Sequence, residues 1–132
     1  MMFVTREQWL LAAIAELHPI FDAGELAIPE QLKVSCGFSG TGDRKKVAGE
    51  CWPGTVAHIF ISPLQADENK VLETLVHELL HACLPKGTKH GPPFKQGMKV
   101  VGLEGKARST TAGADLLKQF KDAGASGVAI SE

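Results

Sequence analysis

The sequence predicts an α+β fold in which a small three-stranded antiparallel sheet packs against helices. Three observations predict it: apolar residues at helical spacing over 6–17, alternating or β-branched runs over 32–36 and 55–61, and a longer helical pattern over 66–84. With 132 residues, 44% hydrophobic and 22% charged, the chain has the size and composition of one globular domain, 1–132. These values exclude wholesale disorder and a collagen-like chain. No apolar run approaches the roughly 18 residues that would span a bilayer. The start, Met1-Met2-Phe3-Val4-Thr5-Arg6-Glu7, lacks a basic segment followed by an apolar run and a cleavage site, which predicts a cytoplasmic protein. Cys36, Cys51 and Cys83 are spaced like neither a disulfide framework nor a paired-cysteine zinc site, so they read as thiols in a reducing compartment.

The elements follow in order. Thr5-Arg6-Glu7-Gln8 has the spacing of a capping box. Trp9, Leu10, Ala13, Ile14 and Leu17 then form one apolar face, and His18-Pro19 should end the helix, because a residue before proline is pushed out of helical angles. Residues 20–30, with Gly24 and Pro29, read as a connector. Leu32, Val34 and Cys36 alternate with Lys33 and Ser35, the period of a half-buried strand. Gly37 to Gly49 reads as a mobile loop, followed by strand segments Glu50-Cys51-Trp52 and Thr55–Ile61 around a Pro53-Gly54 turn.

Asp67-Glu68-Asn69 places negative charge at the start of the next helix, where the backbone dipole favours it. That helix should run from Ala66 to Leu84 and stop at Pro85 and Gly87. Pro92-Pro93 then begin a helix through Leu103, since proline is tolerated in a first turn. A last helix is predicted over 112–123, and the tail, 124–132, should fray.

The chemistry concentrates in His77-Glu78-Leu79-Leu80-His81. Residues four apart share a helix face, so both imidazoles can reach one metal ion, with Glu78 close enough to hold a water at that ion. Zinc suits imidazole ligands, and an incomplete protein shell leaves it a position for water. On a wheel of about 100° per residue, His77 and His81 lie at about 0° and 40°, off the apolar stripe that spans about 120° to 300°. Glu78 lies on the border. Two residues compete as third ligand: His90, beyond the Pro85-Gly87 stop, and Glu104, in the downstream helical region. His90 is preferred because the adjacent return loop places it with little freedom.

His77-Glu78-Leu79-Leu80-His81-Ala82, a short loop, and then His90-Gly91-Pro92-Pro93-Phe94 resemble the zinc-binding core of the SprT-like metalloprotease family, which includes bacterial SprT proteins and Spartan. Met98 and Gly102-Leu103 fit the same likeness, which covers residues 60–104. The resemblance implies a zincin-like fold with the His-Glu-x-x-His motif on its central helix. It also implies a zinc peptidase in which His77, His81 and His90 bind Zn2+ and Glu78 is the catalytic base. The loop between His81 and His90 is shorter than in Spartan-like members, and no Cys-rich ribbon follows the core. DNA-dependent activity is therefore not implied.

For the oxyanion, a chain with no tyrosine cannot use a phenol donor, and His58 and Arg44 are the candidates. Glu73 and Thr74 are candidates to orient the imidazoles, and the 55–61 strand is the candidate edge for an extended peptide substrate. Two other readings stay open: the same machinery acting on another amide or ester, and a zinc-stabilised DNA- or protein-binding module without hydrolase activity. The second draws on charge. Residues 1–84 carry 6 basic and 11 acidic side chains, whereas 85–114 carry Lys86, Lys89, Lys95, Lys99, Lys106 and Arg108 against Glu104 alone. Such a stretch can give weak nucleic-acid contact, and it is also what a solvated face looks like.

Overall fold

Thr5 starts the first helix as the sequence leads one to expect. Its Oγ1 accepts from the Gln8 N–H at 3.1 Å, while Gln8 Oε1 accepts from the Thr5 N–H at 3.3 Å, satisfying two donors that a helix start otherwise leaves bare. The computed structural model describes residues 5–37, 48–52, 56–63 and 67–122. The Gly37–Gly49 loop for the most part, the Pro53-Gly54 turn, Arg44 and the 124–132 tail lie outside them.

Helix α1 (Arg6–Ala23) does not end at His18-Pro19, as expected, but continues with Pro19 inside it. Pro19 lies on the exposed side of the helix, where its cost is one missing helical hydrogen bond and the crowding of its ring against the carbonyl one turn back. Phe21, fully buried, ties the last turn to the core. Burying such a side chain contributes about 1.5–3 kcal/mol, enough to offset much of the proline cost.

Strands β1 (Leu32–Cys36), β2 (Gly49–Trp52) and β3 (Ala57–Ile61) form one sheet in the order β1-β3-β2. β2 and β3 pair antiparallel, with Cys51 opposite Ile59, but β1 and β3 pair parallel, with Val34 opposite Ile59. The sheet is therefore mixed, which corrects the antiparallel expectation. Alternation of apolar residues fixes which face of a strand is buried, not which neighbour it chooses or in which direction. The same order corrects the edge assignment: among the described residues the strand ending at Ile61 is central, and β2 is an edge. Ala57, Ile59 and Ile61 are buried, while His58 and Phe60 point to the other face.

Helix α2 (Glu68–Cys83) begins at Asp67, whose side chain accepts from the Lys70 N–H at 3.1 Å. Its Val71, Leu75, Val76, Leu79 and Leu80 are fully buried. Helix α3 (Pro92–Val101) ends at Gly102, whose φ of 88° is open to glycine at little cost and which caps the helix through the Met98 carbonyl. An unexpected hairpin follows, β4 (Leu103–Lys106) paired antiparallel with β5 (Ser109–Ala112), before helix α4 (Ala114–Asp122). Glu104 thus sits on an exposed strand and not in a helix. One core joins these parts: Trp9 and Leu17 of α1, Ile59 of β3, Leu79 of α2, Phe94 of α3 and Leu116 of α4 are all at most 1% exposed. The described residues are thus an α+β arrangement of four helices, a mixed three-stranded sheet and a hairpin. No helix among them is long and apolar enough to cross a membrane.

Candidate metal centre

The apolar stripe of α2 anchors the helix against the sheet, so its opposite edge carries His77 and His81 into a cleft of about 1020 Å³. The chain then leaves α2 at Leu84 and makes a tight return. The Thr88 N–H and hydroxyl both donate to the Pro85 carbonyl, at 3.1 and 2.7 Å, and the Gly91 N–H donates to the Thr88 carbonyl at 3.1 Å. Gly87 takes a φ of 92° in this turn, a region glycine enters freely. The return swings His90 back over the end of α2, immediately before Pro92 opens α3.

Three imidazole nitrogens meet as a result. His90 Nε2 lies 3.3 Å from His81 Nε2 and 3.4 Å from His77 Nε2. A neutral imidazole has one N–H and one lone pair, so three Nε2 atoms at one point cannot satisfy one another by hydrogen bonds alone. A tetrahedral zinc with Zn–N of about 2.0–2.1 Å needs its nitrogens about 3.3–3.4 Å apart. The two spacings from His90 fit that requirement, all three ligand nitrogens lie within 4.8 Å of one another, and among the described residues these three histidines form the group that could hold a metal ion. Glu104 is not part of it.

Two further contacts hold the rings. Phe94, fully buried at the base of the cluster, packs against His77, His81 and His90 with ring centroids 4.9, 4.5 and 5.0 Å away. Thr110 Oγ1, from β5, lies 2.8 Å from His77 Nδ1. When Nδ1 carries the proton and donates to Thr110, the Nε2 lone pair is left facing the cluster. Sequence reasoning missed Thr110, since 33 residues separate the partners and a threonine has no distinguishing pattern. The residues it favoured are engaged otherwise: Glu73 lies 3.7 Å from Lys70, and Thr74 Oγ1 donates to the Lys70 carbonyl at 2.9 Å.

Electrostatics keep the imidazoles neutral. Burial first, then the neighbouring His81 and His90, push His77 down to about 4, and burial with His90 does the same to His81. His90 is lowered by burial and then by the positive charge of Arg108. At neutral pH all three lone pairs are therefore free for a cation. Glu78, 6% exposed, is pushed up to about 8 by burial and then by Glu50. A bound cation acts in the opposite sense and favours the carboxylate.

The walls of the cleft come from two elements that flank α2. On one side is β2, whose backbone presses close at Gly49. A Cβ there would meet Thr74 Cγ2 at 2.6 Å and Glu78 Cγ at 3.2 Å, so only glycine lets the edge strand come this near to Glu78. On the other side is the β4–β5 hairpin, which contributes Arg108, Ser109 and Thr110. Lys86 and Lys89 of the return loop also line the opening, whereas Lys95, Lys99 and Lys106 are exposed elsewhere. His58 is not in the cleft. It points from the outer face of the sheet, with Nε2 2.9 Å from Ser35 Oγ and its ring stacked on Phe60 at 4.1 Å. Cys51 also lines the cleft, but burial pushes its thiol up to about 12, so it is no thiolate at neutral pH.

No curated protein and no solved structure matches this chain. A family model does: the SprT-like family model matches residues 14–113, a span that runs from α1 through the sheet, the three histidines, α3 and the hairpin. With that span and a metal-competent cluster of three histidines at its centre, the chain belongs to the SprT-like family.

Proposed function

We propose that this protein is a zinc-dependent peptidase with a zincin-like arrangement, in which His77, His81 and His90 hold the ion and Glu78 is the catalytic base. The observation that carries the reading is the meeting of three imidazoles, with His90 Nε2 3.3 and 3.4 Å from its two partners and all three ligand nitrogens within 4.8 Å, beside a buried carboxylate in an open cleft. Bound there, zinc would supply Lewis acidity and bring the pKa of water towards neutrality. The chain's own groups do the rest. Glu78 takes one proton from the attacking water as its oxygen bonds to the peptide carbonyl carbon, then gives that proton to the amine as the C–N bond breaks. Thr110 and Phe94 keep the imidazoles in place through the cycle.

β2 is the strand for substrate. It is a sheet edge, it borders the cleft, and its Gly49 brings the backbone against Glu78. An extended peptide pairing with that edge would run past the base. Trp52, at the end of the strand and 49% exposed, offers an apolar surface for a substrate side chain.

The test is hydrolysis of casein by zinc-loaded protein and by Glu78→Gln. The variant should bind zinc with unchanged stoichiometry and lose hydrolysis by about 10²–10⁴-fold. Equal turnover would remove Glu78 from the reaction. Lys86, Lys89 and Arg108 at the mouth of the cleft favour one other reading, a zinc-stabilised module for nucleic acid or an acidic protein. Salt-sensitive DNA binding without any cleavage would select it.

A further inference from the structure

We infer that Arg108 is the group that stabilises the negative charge developing on the substrate carbonyl oxygen. The inference rests on the peptidase reading and deepens it. Such a donor is needed, and fixed donors aimed at the developing charge are commonly the largest single contribution to catalysis. The chain has no tyrosine to supply a phenol. Of the two candidates named from sequence, His58 faces away from the cleft, in contact with Ser35 and Phe60, and Arg44 lies outside the described residues.

The hairpin supplies the replacement. Lys106 pairs with Ser109, so Ala107 and Arg108 form a two-residue turn. Thr110 leaves β5 towards His77, and Arg108, in the turn that leads into β5, lines the same cleft with its charge felt at His90. The Thr110–His77 contact ties β5, and with it the start of the strand that follows Arg108, to α2.

The two flanks of the cleft then divide the work. Glu78 lies against β2 and Arg108 belongs to the hairpin turn, and both line the cleft that holds the three histidines. A peptide carbonyl held between them receives water from the Glu78 side and turns its oxygen towards the guanidinium. Arg108 keeps its protons throughout, since its pKa is far above neutrality; it contributes charge and N–H donors only.

The experiment compares wild-type, Arg108→Ala and Arg108→Lys in zinc-loaded form, with zinc content and circular dichroism checked for each. With a casein-derived peptide, Arg108→Ala should lower kcat by about 10²–10³-fold with KM changed little, and Arg108→Lys should recover part of the loss. Binding gives a second readout. In a Glu78→Gln background, adding Arg108→Ala should weaken a tetrahedral peptide phosphonate by about 100-fold while leaving the matching peptide unaffected. An effect confined to KM, equal loss for both probes, or no effect on either would overturn the role of Arg108. Absence of cleavage by the wild-type protein would instead reject the peptidase reading itself.

Discussion

Two regions of this molecule use histidine in contrasting ways. On the outer face of the sheet, His58 has a hydroxyl partner at 2.9 Å and a stacked aromatic neighbour, so its polar and apolar needs are both met. In the cleft, His77, His81 and His90 are packed on Phe94 with three Nε2 atoms turned towards one another. The difference teaches what marks a candidate metal centre. It is the convergence of lone pairs that the protein itself leaves unmatched, on rings held neutral by burial, and not the presence of imidazole.

The contrast is open to direct attack. Replacing one of the cluster should have the largest effect. Zinc sites bind with about 10–16 kcal/mol spread over their ligands, so His81→Ala should weaken zinc by about two to three orders of magnitude in a chelator competition, whereas His58→Ala leaves zinc affinity unchanged. If both substitutions weaken zinc equally, the two regions do not differ as described. A smaller effect is expected one step out from the metal. Thr110→Val keeps the shape but removes the partner of His77 Nδ1, and should cost about 10–100-fold in zinc affinity with the helix content unchanged. Smallest is the stability change on the sheet: His58→Ala loses a half-buried hydrogen bond and a stacking contact, about 1–2 kcal/mol together, read as a lowered midpoint in urea. A larger loss there, accompanied by loss of zinc, would mean that the outer face supports the cleft.

Much of the centre was legible because it is local. His77, Glu78 and His81 follow from helical spacing alone, and His90 lies only nine residues beyond His81, across a turn that Pro85 and Gly87 announce. What escaped is what long-range packing decides. The parallel pairing of β1 with β3 depends on the path between strands, which alternation does not encode. The hairpin escaped because Ala107-Arg108 is not a recognisable two-residue turn and the flanking Glu104-Gly105-Lys106 has no strand pattern. With the hairpin went Thr110 and the placement of Arg108. Pro19 misled for the opposite reason: a local rule was overridden by the burial of Phe21.

X-ray absorption of the zinc-loaded protein tests the central claim most directly. The expected spectrum is that of one zinc per chain with three imidazole nitrogens and one further light atom, all at about 2.0–2.1 Å. A sulfur scatterer from Cys51, or a shell closed by four protein ligands, would contradict it.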